Sequence, residues 1–312
     1  MHGSPRFTFE MPVPTYHDNK RGIVSLLLAC ALFTVNDTLT KLAALSYPVG
    51  EVMLVRGAIC LAIVGIGAIY AHQVRWMRGA FTPIVVLRGA LDAAINITFV
   101  MALSHMRLAD LIALKLASPL LLTMLSAFFL KEPVGWRRWS AVLCGFAGMV
   151  LIIKPSPASF NVWALAAFGS AVGSAMRDLV TRRISPSVPT LGISFTSALG
   201  STIAAPILAL AIGEQWRTLA LDYIGLLGAA ATVLSIGSTF AVSAFRHIDV
   251  IVVAPFRYSL LLWSALAGYF VFGEVSDIYA LAGSLLIAGS GLYTLHRERV
   301  RHRDLSAQAS VH

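Results

Sequence analysis

The sequence predicts an all-α integral membrane protein of ten transmembrane helices, arranged as two inverted five-helix repeats. Three observations predict it: a composition too apolar for a water-soluble surface, ten apolar stretches of spanning length, and two halves that align with each other. Of 312 residues, 57% are hydrophobic and only 12% charged, and the mean hydropathy is +0.78. Polar side chains are too scarce to cover a soluble fold. A spanning helix takes about 20 residues, so ten of them use about 200 and leave short connections with no separate soluble domain.

In chain order, the apolar stretches bounded by charge, Pro or Gly are 22–44, 49–71, 82–104, 109–130 and 137–153, then 161–183, 188–212, 219–244, 250–272 and 278–296. The third contains Arg88 and Asp92 and qualifies through the apolar runs Ile84 to Leu87 and Ala93 to Met101 on either side; without it nine helices would remain. Residues 1–21 read as an amino-terminal tail, 22–153 and 161–296 as the two repeats, and 297–312 as a basic carboxyl-terminal tail. The first apolar run follows about twenty mixed residues and precedes no small-residue cleavage site, so it is expected to stay as a helix. Cys30, Cys60 and Cys144 lie singly in apolar runs, without metal-site or disulfide spacing, and are expected to pack.

The charge of +9 raises a nucleic-acid reading that the distribution of cations answers. With the amino terminus inside, only Arg107, Lys154 and Arg217 of the 24 Lys and Arg fall outside, and Lys41, Arg56, Arg88, Lys115, Arg177 and Arg257 fall within spans, leaving fifteen inside. Such a bias is the positive-inside pattern, so both termini are expected to be cytoplasmic, in a bacterial-type inner membrane. It accounts for the net charge without nucleic acid.

The halves align at an offset close to 141 residues. Asp37, Thr40, Lys41 and Pro48 meet Asp178, Thr181, Arg182 and Pro189; Arg107 and Asp110 meet Arg246 and Asp249; Lys115 and Glu132 meet Arg257 and Glu274. Apolar matches are cheap in such a chain, whereas matched charges are scarce and informative. Five spans per half is an odd number, so the second half enters the membrane from the opposite side, the arrangement that alternating-access carriers use.

Ala117-Ser-Pro-Leu-Leu-Leu122 runs into Phe129-Leu-Lys-Glu132 and then Gly145-Phe-Ala-Gly148, while Val253-Ala-Pro-Phe-Arg-Tyr258 runs into Gly268 to Glu274 and then Gly283 to Gly291. With these stretches the chain resembles the drug/metabolite transporter superfamily, specifically its EamA-type members, over nearly its whole length. The resemblance implies a secondary transporter, of the branch that includes S-adenosylmethionine, amino-acid and metallophore carriers. The halves depart from each other in one respect: Pro119 lies thirteen residues before Glu132, but Pro255 nineteen before Glu274. The two helices need not bend alike.

Charges inside a span are costly, at least ~2.5–3.5 kcal/mol each on insertion scales, so each is a functional candidate. Asp37 with Lys41, Arg88 with Asp92, and Asp178 with Arg182 are four apart and can neutralise each other as packing devices. Asp37, Lys41, Asp178 and Arg182 are also candidates for coupling or gating. Arg88 and Asp92 fall near mid-span, where snorkelling is difficult, and Asn96 extends their face by one turn. Arg177 must find its partner on another helix or among headgroups. Arg56, Lys115 and Arg257 have no acidic residue three or four positions away, so they face a cavity or charges on another helix. Tyr258 and Trp263 are candidates for stacking on a flat or cationic group, with helix packing as the alternative. Glu132 and Glu274, at helix ends, read as structural.

With Asp110, Asp222 and the span-end arginines counted among the loop charges, six cations within the spans oppose the four anions Asp37, Glu51, Asp92 and Asp178. That surplus predicts a site for a carboxylate-bearing, amino-acid-like metabolite, held by Arg56, Arg88, Asp92, Asn96, Lys115, Arg257, Tyr258 and Trp263. A coupling proton or counter-substrate is left open, as is a monomer or homodimer. No cofactor or metal is expected. An intramembrane enzyme lacks support, since neither H-E-x-x-H nor G-x-S-x-G occurs, and no phosphate-binding G-x-x-x-x-G-K-[ST] loop is present. A channel remains as the alternative.

Overall fold

The computed structural model describes residues 16–70, 81–129, 135–154, 161–185, 188–218, 220–246 and 254–309. Among these the chain is all-helical. It runs through α1 (Tyr16–Ser46), α2 (Val49–Tyr70), α3 (Pro83–His105), α4 (Leu108–Lys115), α5 (Ser118–Phe129), α6 (Trp136–Ile153), α7 (Val162–Thr181), α8 (Thr190–Ile212) and α9 (Leu221–Arg246). A 3-10 turn at Ala254–Tyr258 then leads into α10 (Ser259–Phe272) and α11 (Ile278–Ala309). Eight segments among the described residues are long and apolar enough to cross a membrane, with α4 and α5 counted together as one. The chain is a multi-pass membrane protein.

Local chemistry sets the boundaries. α3, the stretch with two mid-span charges, is a full helix that starts with Thr82 in an extended conformation and Pro83 at its first position, where the missing N–H costs nothing. Asn161 caps α7 by accepting from the Trp163 N–H. Gly213 and Gly273 end α8 and α10 in the left-handed conformation that glycine alone adopts freely.

Four boundaries differ from expectation. The fourth span is broken at Leu116–Ala117, because Pro119 in the first turn of α5 has no N–H to continue the α4 ladder. The ninth opens with the 3-10 turn around Pro255. α1 begins six residues before the apolar run, and α11 continues past the expected end of the span to Ala309, so most of the basic tail is helical. Glu132 and Asp249 lie outside the described residues.

α1 packs along α9 and α3 along α7, while α2 meets α8 and α6 meets α11. Glycines allow the closest of these approaches. A Cβ on Gly148 of α6 would lie 2.7 Å from the Gly283 carbonyl oxygen, and one on Gly283 of α11 would lie 2.5 Å from that of Gly148. Neither position has room for a side chain, so the helices meet backbone to backbone. Many large apolar side chains on the outside, such as Leu210, Leu221 and Phe270, are exposed, as a lipid-facing surface requires.

Candidate functional site

A cavity of about 510 Å³ lies within the bundle, lined by both halves of the chain. It is of the size that small-molecule sites occupy. Asn36 and Asp37 enter from α1, Arg56 from α2, Asp92, Asn96 and Phe99 from α3, and Lys115 and Ser118 from the α4–α5 break. Ser174 and Arg177 come from α7, Ser201 from α8, Ser238 from α9 and Arg257 from the 3-10 turn. Irregular backbone at the α4–α5 break is tolerated at this depth because it borders the cavity rather than lipid.

The cations divide into two groups. Arg56 is engaged: it donates to the Asn96 side-chain oxygen at 2.7 Å and to Thr40 Oγ1 at 3.3 Å. Arg177 donates to Asp178 at 2.7 Å and to Asp92 at 3.3 Å. Lys115 and Arg257 differ. Among the described residues neither side chain makes a hydrogen bond or ion pair; Lys115 lies over the Phe99 ring, 4.0 Å from its centroid.

Beside the cavity α3, α7 and α8 are tied by a polar knot. Asp92 accepts from Arg88 at 2.9 Å, from Ser197 at 2.5 Å and from Arg177. Arg88 also donates to Thr181 and Ser197. The expected Arg88–Asp92 pair therefore forms, but Arg88 lies outside the cavity wall and acts on it through Asp92. Arg177 finds one partner on another helix, as expected, and a second in its own neighbour Asp178, which a long guanidinium reaches although the two Cα–Cβ bonds diverge.

Lys41 does not pair with Asp37. It binds Glu274 and donates to the Met106 carbonyl at 2.6 Å. The turn at Gly273, where the Glu274 N–H bonds back to the Gly268 carbonyl, brings that carboxylate against α1. A full charge plus a carbonyl satisfies more of the ammonium's donors than a carboxylate one turn away. Asp37, 7% exposed, keeps a single hydrogen bond among the described residues, from the Asn36 amide at 2.9 Å.

Tyr258 and Trp263 do not line the cavity. The Tyr258 ring fills the space over Gly291 of α11, and Trp263 packs near Leu26, Cys30 and Ala244. Both rings face other helices. Arg182 closes α7, its N–H bonded to the Asp178 carbonyl. Asn36, Ser174, Ser201 and Ser238 border the cavity without having stood out in the sequence, since uncharged polar residues are common in spans; Arg177 stood out only as a charge in need of a partner. Among the described residues no cluster of His, Cys, Asp or Glu could hold a metal.

At the end of the bundle where α1 finishes, the loops are closed by ions. Asp277 accepts from Arg107 at 2.8 Å and from Lys154 at 2.5 Å, and these bonds hold its carboxyl well below the usual carboxylate range. The cavity lining instead reaches Leu26, Ala241 and Arg257, near the end where α1 starts.

Residues 20–154, which contribute Asn36, Asp37, Arg56, Asp92, Asn96 and Lys115 to this cavity, match the EamA-like transporter family. This part of the chain is similar to that family. Similarity to bacterial transporters extends further. The S-adenosylmethionine uptake transporter of Rickettsia felis is 27% identical over 281 residues, 89% of this chain and 93% of that protein. The pseudopaline exporter CntI of Pseudomonas aeruginosa is 29% identical over 275 residues, 86% of this chain and 93% of that one. The riboflavin transporter of Brucella anthropi is 23% identical over 88% of this chain. One crystal structure shares the fold with a TM-score of 0.59 at 20% identity, covering 90% of this chain and 99% of that one. The family and these names point to transport rather than catalysis, and they include both import and export.

Proposed function

We propose that the protein is a secondary active transporter that moves a small, carboxylate-bearing, amino-acid-like metabolite across the bacterial inner membrane by alternating access. The observation that carries this reading is the cavity, where Arg56, Lys115, Arg177 and Arg257 outnumber Asp37 and Asp92. An apolar lining would be no worse for stability than buried charge, so a cationic surplus is retained for a ligand. Relatives named for S-adenosylmethionine and pseudopaline support a small-metabolite substrate.

Ten spans in two inverted repeats, 22–153 and 161–296, complete the reading, with α7 and the turn-plus-α10 segment joining the eight long apolar spans. The packing supports it. Exchanging the halves turns the α1–α9 contact into the α7–α3 contact, and maps the α2–α8 and α6–α11 contacts onto themselves. A site between such halves is exposed alternately to either side. The positive-inside count supports a cytoplasmic position for both termini. The bilayer and the substrate are then the partners, with a proton or counter-substrate for coupling.

Counterflow in proteoliposomes tests transport: a carrier accelerates exchange from a preloaded lumen, and a channel or enzyme does not. Uptake and efflux in inside-out and right-side-out vesicles give substrate and direction. Reporter fusions after Ser46 and after Ser156 are expected to read periplasmic, and a cytoplasmic signal at either would refute the topology.

A further inference from the structure

Asp37 and Asp178 occupy equivalent positions in the two halves, but the residue before each differs: Asn36 in the first and Arg177 in the second. The structure shows what that difference does. Asp178 is neutralised by Arg177, which donates to it from both Nε and Nη2. Among the described residues Asp37 receives only the neutral Asn36 amide. Lys41, one turn further on, is taken by Glu274. Lys115 and Arg56 are the cations whose fields Asp37 feels, yet neither makes an ion pair with it. A carboxylate more than nine-tenths buried on the cavity wall therefore keeps most of its acceptor capacity open.

An ionised carboxylate in this setting needs a cation. Lys115 and Arg257 in turn make no ion pair among the described residues, and the anion whose field Lys115 feels is Asp37 itself. The cavity thus presents one anionic and two cationic positions that no direct ion pair closes among the described residues, a pattern complementary to a zwitterion.

We propose that Asp37 is the subsite for the positively charged group of the substrate, with its carboxylate held by Lys115 and Arg257, so that the transporter selects zwitterions over simple carboxylates. This inference rests on the carboxylate-transporter reading above and adds polarity to it: an ammonium or similar cation lies against α1, and the carboxylate lies toward α4 and the 3-10 turn. Selection follows from physics on both sides. A simple carboxylate leaves Asp37 unmatched in the occupied cavity, and an amine leaves Lys115 and Arg257 unmatched.

The test compares matched probes on the purified full-length protein, by ligand-induced thermal shift and by proteoliposome counterflow: L-methionine with 4-(methylthio)butanoate and 3-(methylthio)propylamine, and L-phenylalanine with 3-phenylpropanoate and 2-phenylethylamine. Wild type is expected to favour each amino acid at least about ten-fold over its des-amino acid, as the loss of one charge-assisted contact predicts. Asp37→Asn should bring the two within about two-fold by weakening the amino acid, and Asp37→Glu should keep the preference. Asn36→Arg copies the second half and should act like Asp37→Asn, which keeps the test alive if the latter fails to fold. An undiminished preference in folded Asp37→Asn or Asn36→Arg would overturn the inference. So would wild type accepting the des-amino acids as well as the amino acids, and that outcome leaves the carboxylate reading standing. Wild type that favours the amines, or takes no carboxylate at all, would remove the reading beneath it as well.

Discussion

Lys41 on α1 and Glu274 in the turn after α10 form an ion pair in which the lysine is almost wholly buried, its side chain 4% exposed and that of the glutamate 19%. Glu274 also accepts from the Leu108 N–H at 2.8 Å, and Lys41 reaches the Met106 carbonyl. One pair thus joins α1, the bend between α3 and α4, and the turn that starts α11.

A double-mutant cycle in detergent should expose this coupling. Lys41→Met and Glu274→Gln each strand a partner in a buried setting, and breaking such a pair costs about 3 kcal/mol when its geometry is good. The double variant strands neither charge and is expected to lose clearly less than the sum of the singles. Additive losses in unfolding free energy would show that the pair is not coupled.

Asp277 gives a pH prediction. Its carboxyl is pulled below its ordinary value of 3.8 by hydrogen bonds from Lys154 and then Arg107. A depressed carboxylate contributes stability that is present above its unfolded value and lost as pH falls through its folded one. The Arg107–Asp277–Lys154 contact should therefore be constant between pH 5 and 8 and fail only in acid below about 3.8. Thermal midpoints of wild type and Asp277→Asn, measured across that range, should differ by the same interval at every pH. A gap that closes between pH 8 and 5 would contradict the assignment.

Eight of the ten expected spans were legible in the sequence, because length and apolarity are properties of one segment, and α3 is among them through the runs flanking Arg88 and Asp92. Arg56, Lys115 and Arg257 could be recognised as cavity candidates because their lack of a neighbouring acid is visible along one helix. The partner of Lys41 was not legible. Glu274 lies 233 positions away and reaches α1 only because Gly273 turns the chain, a tertiary fact that local spacing cannot hold. Tyr258 and Trp263 show the converse: adjacency to Arg257 in sequence sends side chains around a helix in different directions, and these two found packing partners instead.

Gly148 and Gly283 should tolerate no large residue. A Cβ at either meets the opposite backbone within 2.7 Å, and backbone cannot step aside as a side-chain tip does. Gly148→Leu and Gly283→Leu are expected to separate α6 from α11 and lower membrane abundance and thermal stability sharply, whereas Gly169→Leu, with open space around it, should leave both near wild type. Wild-type stability in Gly148→Leu would refute the backbone contact.

Asp92 is held by Arg88, Arg177 and Ser197 at once. That is the setting of a carboxylate that positions cations, and a proton-carrying group would have to break three contacts in each cycle. Transport by Asp92→Asn is accordingly expected to fall in rate but to keep the wild-type dependence on pH. Loss of the pH dependence in that variant would make Asp92 the coupling residue.

The final prediction ranks the cavity cations by how far each is already satisfied. Arg56 spends its guanidinium on Asn96 and Thr40, and Arg88 is bound into the knot around Asp92 outside the cavity wall. Lys115 and Arg257 have hydrogen-bonding capacity left for a ligand. A charge-assisted contact contributes about 1.5–3 kcal/mol, or roughly ten- to a hundred-fold in affinity. Lys115→Gln and Arg257→Gln should therefore raise the apparent KM for a carboxylate substrate by that factor, with stability little changed in Arg257→Gln, which breaks no ion pair among the described residues, and somewhat lowered in Lys115→Gln, which removes a cation whose field Asp37 feels. Arg88→Gln should do the reverse: it leaves Asp92 with one cation fewer, so thermal stability falls while KM shifts little. Arg56→Gln is expected to fall between them. Equal KM values for wild type, Lys115→Gln and Arg257→Gln at equal abundance would remove the cationic site, since the two unmatched charges would then bind nothing that is carried.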